Sequence, residues 1–349
     1  MKPVLRRGLT SQQIFWPLVG LALLLLFNFF FTKDFFLLEI KDGHLYGSLV
    51  DILNRASVLM LLTIGMTLVI ASGGIDISVG SVMAIASSTV AVLLSGKMAE
   101  VNGAQQFVSN FSLGAALLLT LGLALVLGIW NGVLVSYFGL QAIVATLILL
   151  VAGRGIAQLI TSGNVITVYH PRFFYIGGGF LLGLPVSIFI VGGVFLLIML
   201  LLKKTPFGLF LETVGINRVA ARFSGINVPL LTLICYSISG VCAAMAGILV
   251  TSEVRSSDPN TMGNFIELDA ILAFAIAGNS MAGGKFSMSA AMIGALIIQT
   301  IRTTIYSRGV APEIMLVVNA VIVIVICSLQ SDRVRAIFAK RQLSHGRAA

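Results

Sequence analysis

Apolar residues run in long blocks along this chain, separated by short polar punctuation, and strict alternation of apolar and polar positions is absent. Blocks of about 17 residues or more can cross about 30 Å of hydrocarbon as helices, whereas an outer-membrane strand needs about 10 residues with a period of two. The pattern predicts ten spans: Ile14 to Phe31, Ser57 to Ala71, Val79 to Leu94, Leu113 to Tyr137, Ala142 to Thr161, Leu184 to Leu202, Leu230 to Thr251, Leu268 to Gly278, Ser287 to Ile305 and Ile314 to Leu329. The expected fold is all-α, a polytopic membrane protein. Spans two, three and eight are short, and the eighth either takes in its polar flanks or enters only partway.

The punctuation between spans two and three is Gly73-Gly-Ile-Asp-Ile-Ser-Val-Gly80. Its three glycines permit positive φ, and Asp76 and Ser78 compete for backbone hydrogen bonds, so a helix stops and another restarts here. Two readings follow. At bilayer depth the freed peptide groups must face protein or a water-lined cavity, where a polar solute can pass. Outside the bilayer the segment is a tight turn, with Asp76 or Ser78 capping the next helix.

Composition agrees with the spans: 58% hydrophobic and 10% charged residues, with a mean hydropathy of +1.05, cannot cover a soluble surface. Charge orients them. Lys2, Arg6 and Arg7 precede span one, Lys203, Lys204, Arg218 and Arg222 follow span six, Lys285 lies between spans eight and nine, and Arg333, Arg335, Lys340, Arg341 and Arg347 form the tail. An even number of spans puts all of these on one side, the cytoplasm by the positive-inside rule. The net charge of +9 is then topology, and nucleic acid is not an implied partner. The basic amino end resembles a signal peptide, but the apolar run is long and lacks a small-residue cleavage site, which predicts an uncleaved span. Cys235, Cys242 and Cys327 all lie in apolar runs and read as packing residues.

The chemistry of most enzymes has no residues to carry it here. His44, His170 and His345 stand apart from any zinc-type spacing, Gly278 to Phe286 misses the phosphate-loop pattern at Phe286, and no nucleophile elbow is present. The sequence therefore predicts no catalytic residue, no metal site and no bound cofactor. If ATP drives the protein, the ATPase is another chain.

The longest basic-side segment, 203–229, reads KKTPFGLFLETVGINRVAARFSGINVP. Asn217 can cap a helix of about two turns that Gly225 ends in the left-handed conformation. Val219 and Phe223 share a face, with Arg218 and Arg222 in a cationic stripe beside it. Such a helix suits a groove in a soluble partner or the surface of anionic lipid. Within the spans, Arg154 needs a carboxylate or carbonyl partner, while Asn131, Gln158, Gln299 and Asn319 can bond a polar solute or tie helices together. Glu267 and Asp269 are placed at the outer mouth of span eight, capping it. In span seven, Gly240 with Ala244 and Ala243 with Gly247 make small-xxx-small pairs for close backbone contact. Spans two to five and seven to ten are candidates for inverted repeats, since the chain reverses direction between spans two and seven.

The run Asp51 to Ser88, with Gly65-Met-Thr-Leu-Val-Ile70 followed by Gly-Gly-Ile-Asp76, resembles the permease subunit of bacterial carbohydrate ABC importers, the class handling ribose, xylose and galactofuranose. Trp130-Asn131-Gly132, Ala145-Thr146-Leu147 to Gly153-Arg154-Gly155, Gly215-x-Asn217 to Gly225-Ile226 and Glu267-Leu-Asp-Ala-Ile271 extend the likeness over nearly the whole chain. The insertion Lys41-Asp-Gly-His-Leu-Tyr-Gly47 is most similar to a galactofuranose permease. Ala142, Ala277 and Asn279 depart from the pattern, in place of a proline and two glycines.

The resemblance implies a single permease domain over 1–349, non-catalytic, with Asn217, Arg218, Val219, Arg222, Phe223 and Gly225 coupling it to an ATPase that carries ATP and magnesium. It also implies a second, identical or homologous permease and a periplasmic sugar-binding protein, in the bacterial inner membrane with both termini cytoplasmic. Placed on the basic side, Gly73, Gly74, Asp76, Ser78 and Gly80 then read as a close-packed joint. The reading from a different class is a self-sufficient carrier of a small polar solute driven by an ion gradient, with Asp76 as its proton or sodium site.

Overall fold

The computed structural model describes residues 4–32, 35–41, 43–101, 104–109 and 111–307, with isolated positions up to 321. The helices are α1 (Val4–Phe31), α2 (Ser48–Ala71), α3 (Val79–Leu94), α4 (Leu113–Ser136), α5 (Ala142–Thr161), α6 (Pro171–Gly178), α7 (Val186–Lys204), α8 (Phe207–Ile216), α9 (Arg218–Phe223), α10 (Val228–Val254), α11 (Ile266–Ile276) and α12 (Met288–Ser307). Short antiparallel pairs close the connections: β1 (Glu39–Lys41) with β2 (His44–Tyr46), β3 (Gly96–Val101) with β4 (Ala104–Ser109), β5 (Ile166–Thr167) with the distant β8 (Ser256–Ser257), and β6 (Phe180–Leu181) with β7 (Leu184–Pro185). Residues 1–300 form one compact unit and 301–349 another.

Among the described residues seven helices are long and apolar enough to cross a membrane, and α3 is a shorter apolar helix. Most of the tenth predicted span, Asn319 and Cys327 included, lies outside the described residues. Two expectations need correction. Span two begins not at Ser57 but at Ser48, because Asp51, Asn54 and Arg55 interrupt the hydropathy without interrupting the helix. Asp51 and Arg55 sit one turn apart at 3.9 Å, and Asn54 accepts a hydrogen bond from Ser187 of α7. The basic segment after span six holds two helices rather than one, since α8 precedes α9 and buries Leu211 and Val214 in the core.

The core is organised around α10, which packs on α2, α3, α4 and α6. Its start is fixed by Asn227, whose side chain accepts from Leu230 N, and by Pro229 in the first turn, where a missing N–H costs nothing. The small-residue expectation holds in the packing. A Cβ on Gly240 would fall 2.7 Å from Ala124 O of α4, and one on Gly247 would fall 2.5 Å from Met83 O of α3. Cys235 and Cys242 are buried free thiols in the same helix. By contrast α1, α4, α5 and α7 turn Phe30, Leu118, Val151 and Leu197 outward, as lipid-facing helices do.

Candidate functional site: two helix breaks and the coupling segment

The sequence break after α2 does not stay at the end of the bundle. Gly73, at φ +82°, turns the chain as α2 ends, and the backbone then climbs back alongside α10 before α3 begins. Gly74 lies against the Tyr236 hydroxyl, and Asp76 accepts a 2.8 Å hydrogen bond from Ser239 Oγ. Ser239 is eleven residues beyond the start of α10, or about 16 Å along its axis. Asp76 is therefore deep in the bundle, which corrects the placement of the whole Gly73 to Gly80 segment at one end. Its other oxygen accepts from Ser78 N at 3.0 Å and Ser78 Oγ at 2.6 Å, so the carboxylate braces the chain entering α3. Asn131 Nδ2 donates to Ser78 Oγ at 2.8 Å, adding α4 to the same network.

A second break mirrors the first. After α10 ends at Arg255 in the left-handed conformation, residues 256–265 pass through β8 and a series of turns, and α11 starts after Phe265, also left-handed. Ser87 Oγ, in the middle of α3, is bonded to both Thr251 and Ser257. Further on, Gly263 lies back to back with Gly80: a Cβ on Gly263 would sit 2.5 Å from Gly80 O, and one on Gly80 would overlap Gly263 O and Glu267 Oε2. Because Gly80 falls between the levels of Ser239 and Gly247 on α10, Glu267 is at half depth and not at the outer mouth. Glu267 is 7% exposed and Asp269 1% exposed, in the first turn of α11, where acids suit the positive end of the helix dipole.

Arg154 closes this second break. Its guanidinium donates to Met262 O and, at 2.9 Å, to Gly263 O, with the Glu267 carboxylate as its electrostatic counterpart. The carbonyl partner expected from the sequence is present. Gln158, one turn further along α5, donates to Asn260 Oδ1 at 2.9 Å on the same re-entrant stretch. Gln299 is buried in α12.

The coupling segment meets the first break directly. A Cβ on Gly215 of α8 would overlap Ala71 O and Gly284 N, Gly284 N itself donates to Ala71 O at 3.1 Å, and Gly283 approaches the Gly73 backbone. These contacts bring α2, α8 and the 277–287 turn to one point. In that turn Asn279 exchanges hydrogen bonds with Ser287 through both side-chain atoms, a closure no glycine could supply. Arg218 Nη2 donates to Ser72 O at 3.0 Å. The α9 helix has the expected caps: Asn217 Oδ1 accepts from Val219 N and Ala220 N, and Gly225 has φ +80°. Val219 and Phe223 are 64% and 89% exposed on one face.

The five joint residues thus divide among three contacts: Gly73 with the coupling segment, Gly74, Asp76 and Ser78 with α10 and α4, and Gly80 with the second break. Tyr236, Ser239, Gly215, Gly263 and the Glu267 contact were not singled out for this site. Gly215, as the residue before the Ile-Asn cap, and Glu267, in the Glu267 to Ile271 stretch, carry a sequence signal; Tyr236, Ser239 and Gly263 carry none.

Long apolar helices interrupted at half depth, with their freed peptide groups turned onto buried polar side chains, define a polytopic membrane transport protein. The chain belongs to the permease family described as the branched-chain amino acid transport system / permease component, whose model matches residues 48–327. It is 46% identical over 328 residues to the galactofuranose transporter permease protein of Escherichia coli K12, covering 93% of this chain and 92% of that one. It is 38% identical to the fructose import permease of Bifidobacterium longum, over 95% and 92% of the two chains. With the ribose import permease of Escherichia coli K12 it shares 35% identity over 80% and 84%. No solved structure matches it.

Proposed function

We propose that the chain is one of the two permeases of an ATP-driven importer that carries a monosaccharide across the bacterial inner membrane. The observation that carries this is the α9 face: Val219 and Phe223 stand exposed while Arg218 of the same helix holds Ser72 at the first break. A partner seated on that face would act on the membrane helices through one turn of structure. By this reading the chain is a single permease domain, 203–229 is its coupling segment, and the partner is an ATPase chain that binds ATP and magnesium. The basic side is cytoplasmic, both termini lie there, and a periplasmic sugar-binding protein delivers the solute to the opposite side.

Galactofuranose is the first sugar to test, given the 46% identical relative, with ribose and fructose beside it. The chain would be co-expressed with its ATPase and second permease and placed in proteoliposomes, with binding protein outside and ATP inside. Labelled sugar should accumulate only when all components are present, and Phe223→Asp should abolish ATPase co-purification. Uptake that persists without ATP and collapses with an uncoupler would make the protein a secondary carrier instead.

A further inference from the structure

A cavity of about 330 Å³ opens beside the coupling segment, between the α4–α5 turn, α9 and the first turn of α10. Arg218 and Arg222 both line it, and none of its twelve lining residues is an acid. The cationic stripe of α9 therefore points sideways into this space and away from the Val219 and Phe223 face. Arg218 gives one N–H to Ser72 O, while the Arg222 side chain has no hydrogen-bond or ion-pair partner among the described residues. Ser136 also lines it, and its hydroxyl oxygen is buried and without a partner among the described residues. Gln141 completes the polar edge at the start of α5, which no side chain caps.

Apart from Thr232 and two glycines, the remaining lining is apolar, from Val135, Leu140, Ala142, Val228 and Pro229. The adjoining turn exposes Phe138 and Tyr137, the latter a residue type that settles at the headgroup level of a bilayer. Two guanidiniums, an unanswered hydroxyl and an apolar, aromatic-edged opening at the end of the spans match a phosphate that arrives with acyl chains attached.

We propose that this cavity holds the headgroup of an anionic phospholipid, with Arg222 and Arg218 binding its phosphate and Ser136 donating to it. The lipid would sit against the side chain that fixes Ser72, so its presence bears on how firmly α9 is joined to the first break. The proposal rests on the chain spanning a membrane and is independent of which sugar it carries.

The test is lipid retention by the full chain, purified from nanodiscs of phosphatidylcholine with a graded share of phosphatidylglycerol and weighed by native mass spectrometry. Phosphatidylglycerol should be kept over phosphatidylcholine. Arg222→Gln should lower that preference about fivefold to tenfold, the size of one basic contact to an anionic headgroup, and Arg222→Lys should retain most of it. Ser136→Phe, which fills the cavity without removing a charge, should lower it as well, with an unchanged elution volume showing that the chain still folds. Equal retention of the two lipids, or no effect of either Arg222→Gln or Ser136→Phe, would overturn the proposal. So would displacement of the lipid by dissolved glycerol phosphate at low concentration, which would make this a site for a soluble phosphate. Loss of the lipid when the ATPase chain binds would assign the arginines to that partner.

Discussion

The breaks after α2 and after α10 face the same physical problem and answer it with opposite charges. Each carries a non-helical stretch to half depth, where unpaired peptide groups have no water to turn to. At the first, the Asp76 carboxylate accepts from Ser78 N–H and two serine hydroxyls; at the second, the Arg154 guanidinium donates to the carbonyls of Met262 and Gly263. An acceptor suits a chain about to enter a helix, whose first N–H groups are free, and a donor suits a turn that presents carbonyls. The arrangement supports an inverted relation between α2–α3 and α10–α11, which superposition after a two-fold rotation in the membrane plane would test.

The comparison can be broken in graded steps. Gly80→Leu strikes the point where the breaks touch, and the side chain would have to displace both Gly263 O and the Glu267 carboxylate. It should cost about 3 kcal/mol or more, at the upper end of overpacking, seen as loss of the monodisperse species in detergent. Arg154→Met removes the donor and leaves two carbonyls and a buried carboxylate unanswered, at about 3 kcal/mol, and the added change Glu267→Leu should recover part of it. Thermal unfolding of the two variants measures this, and a double variant no better than the single one would deny the pairing. Gly240→Leu pushes α4 from the helix that both breaks hang on, at about 2 kcal/mol, and should lower the yield of assembled complex. Asp76→Asn should have the smallest effect, about 1 kcal/mol, because the amide oxygen can still accept from Ser78 and Ser239 can turn to receive its N–H. It should weaken coupling or assembly and leave the order of preference among sugars unchanged; altered preference with normal ATPase stimulation would make Asp76 a solute contact.

What the sequence revealed and hid follows from the range of the forces involved. The edges of α3 and α9 are set by local signals, a glycine-bearing break and the Asn217 cap, and the apolar run of α5 has the same ends as the helix. The helix α8 is hidden in the sequence because it is ten residues long, carries Glu212 and Thr213, and follows Lys203-Lys-Thr-Pro206, which reads as loop. Arg154 announced its need for a partner, since a charge among apolar neighbours must have one. It could not announce Met262 and Gly263, more than a hundred residues away. The depth of Glu267 is hidden for the same reason: nothing local says that 256–265 re-enters the bundle, which the contacts of Gly80 with Gly263, Ser87 with Ser257 and Arg154 with Met262 show.

That contact also constrains how the two sides of the molecule communicate. Gly80 and Gly263 meet backbone to backbone, so neither stretch can shift without the other giving way, and no rotamer change is there to absorb the movement. On the proposed function, free energy that a partner on α9 delivers to the first break would be shared with the second, and the reverse transfer would have the same size. Solute arriving at one side would thus alter the affinity for the partner on the other by the factor with which that partner alters the affinity for solute.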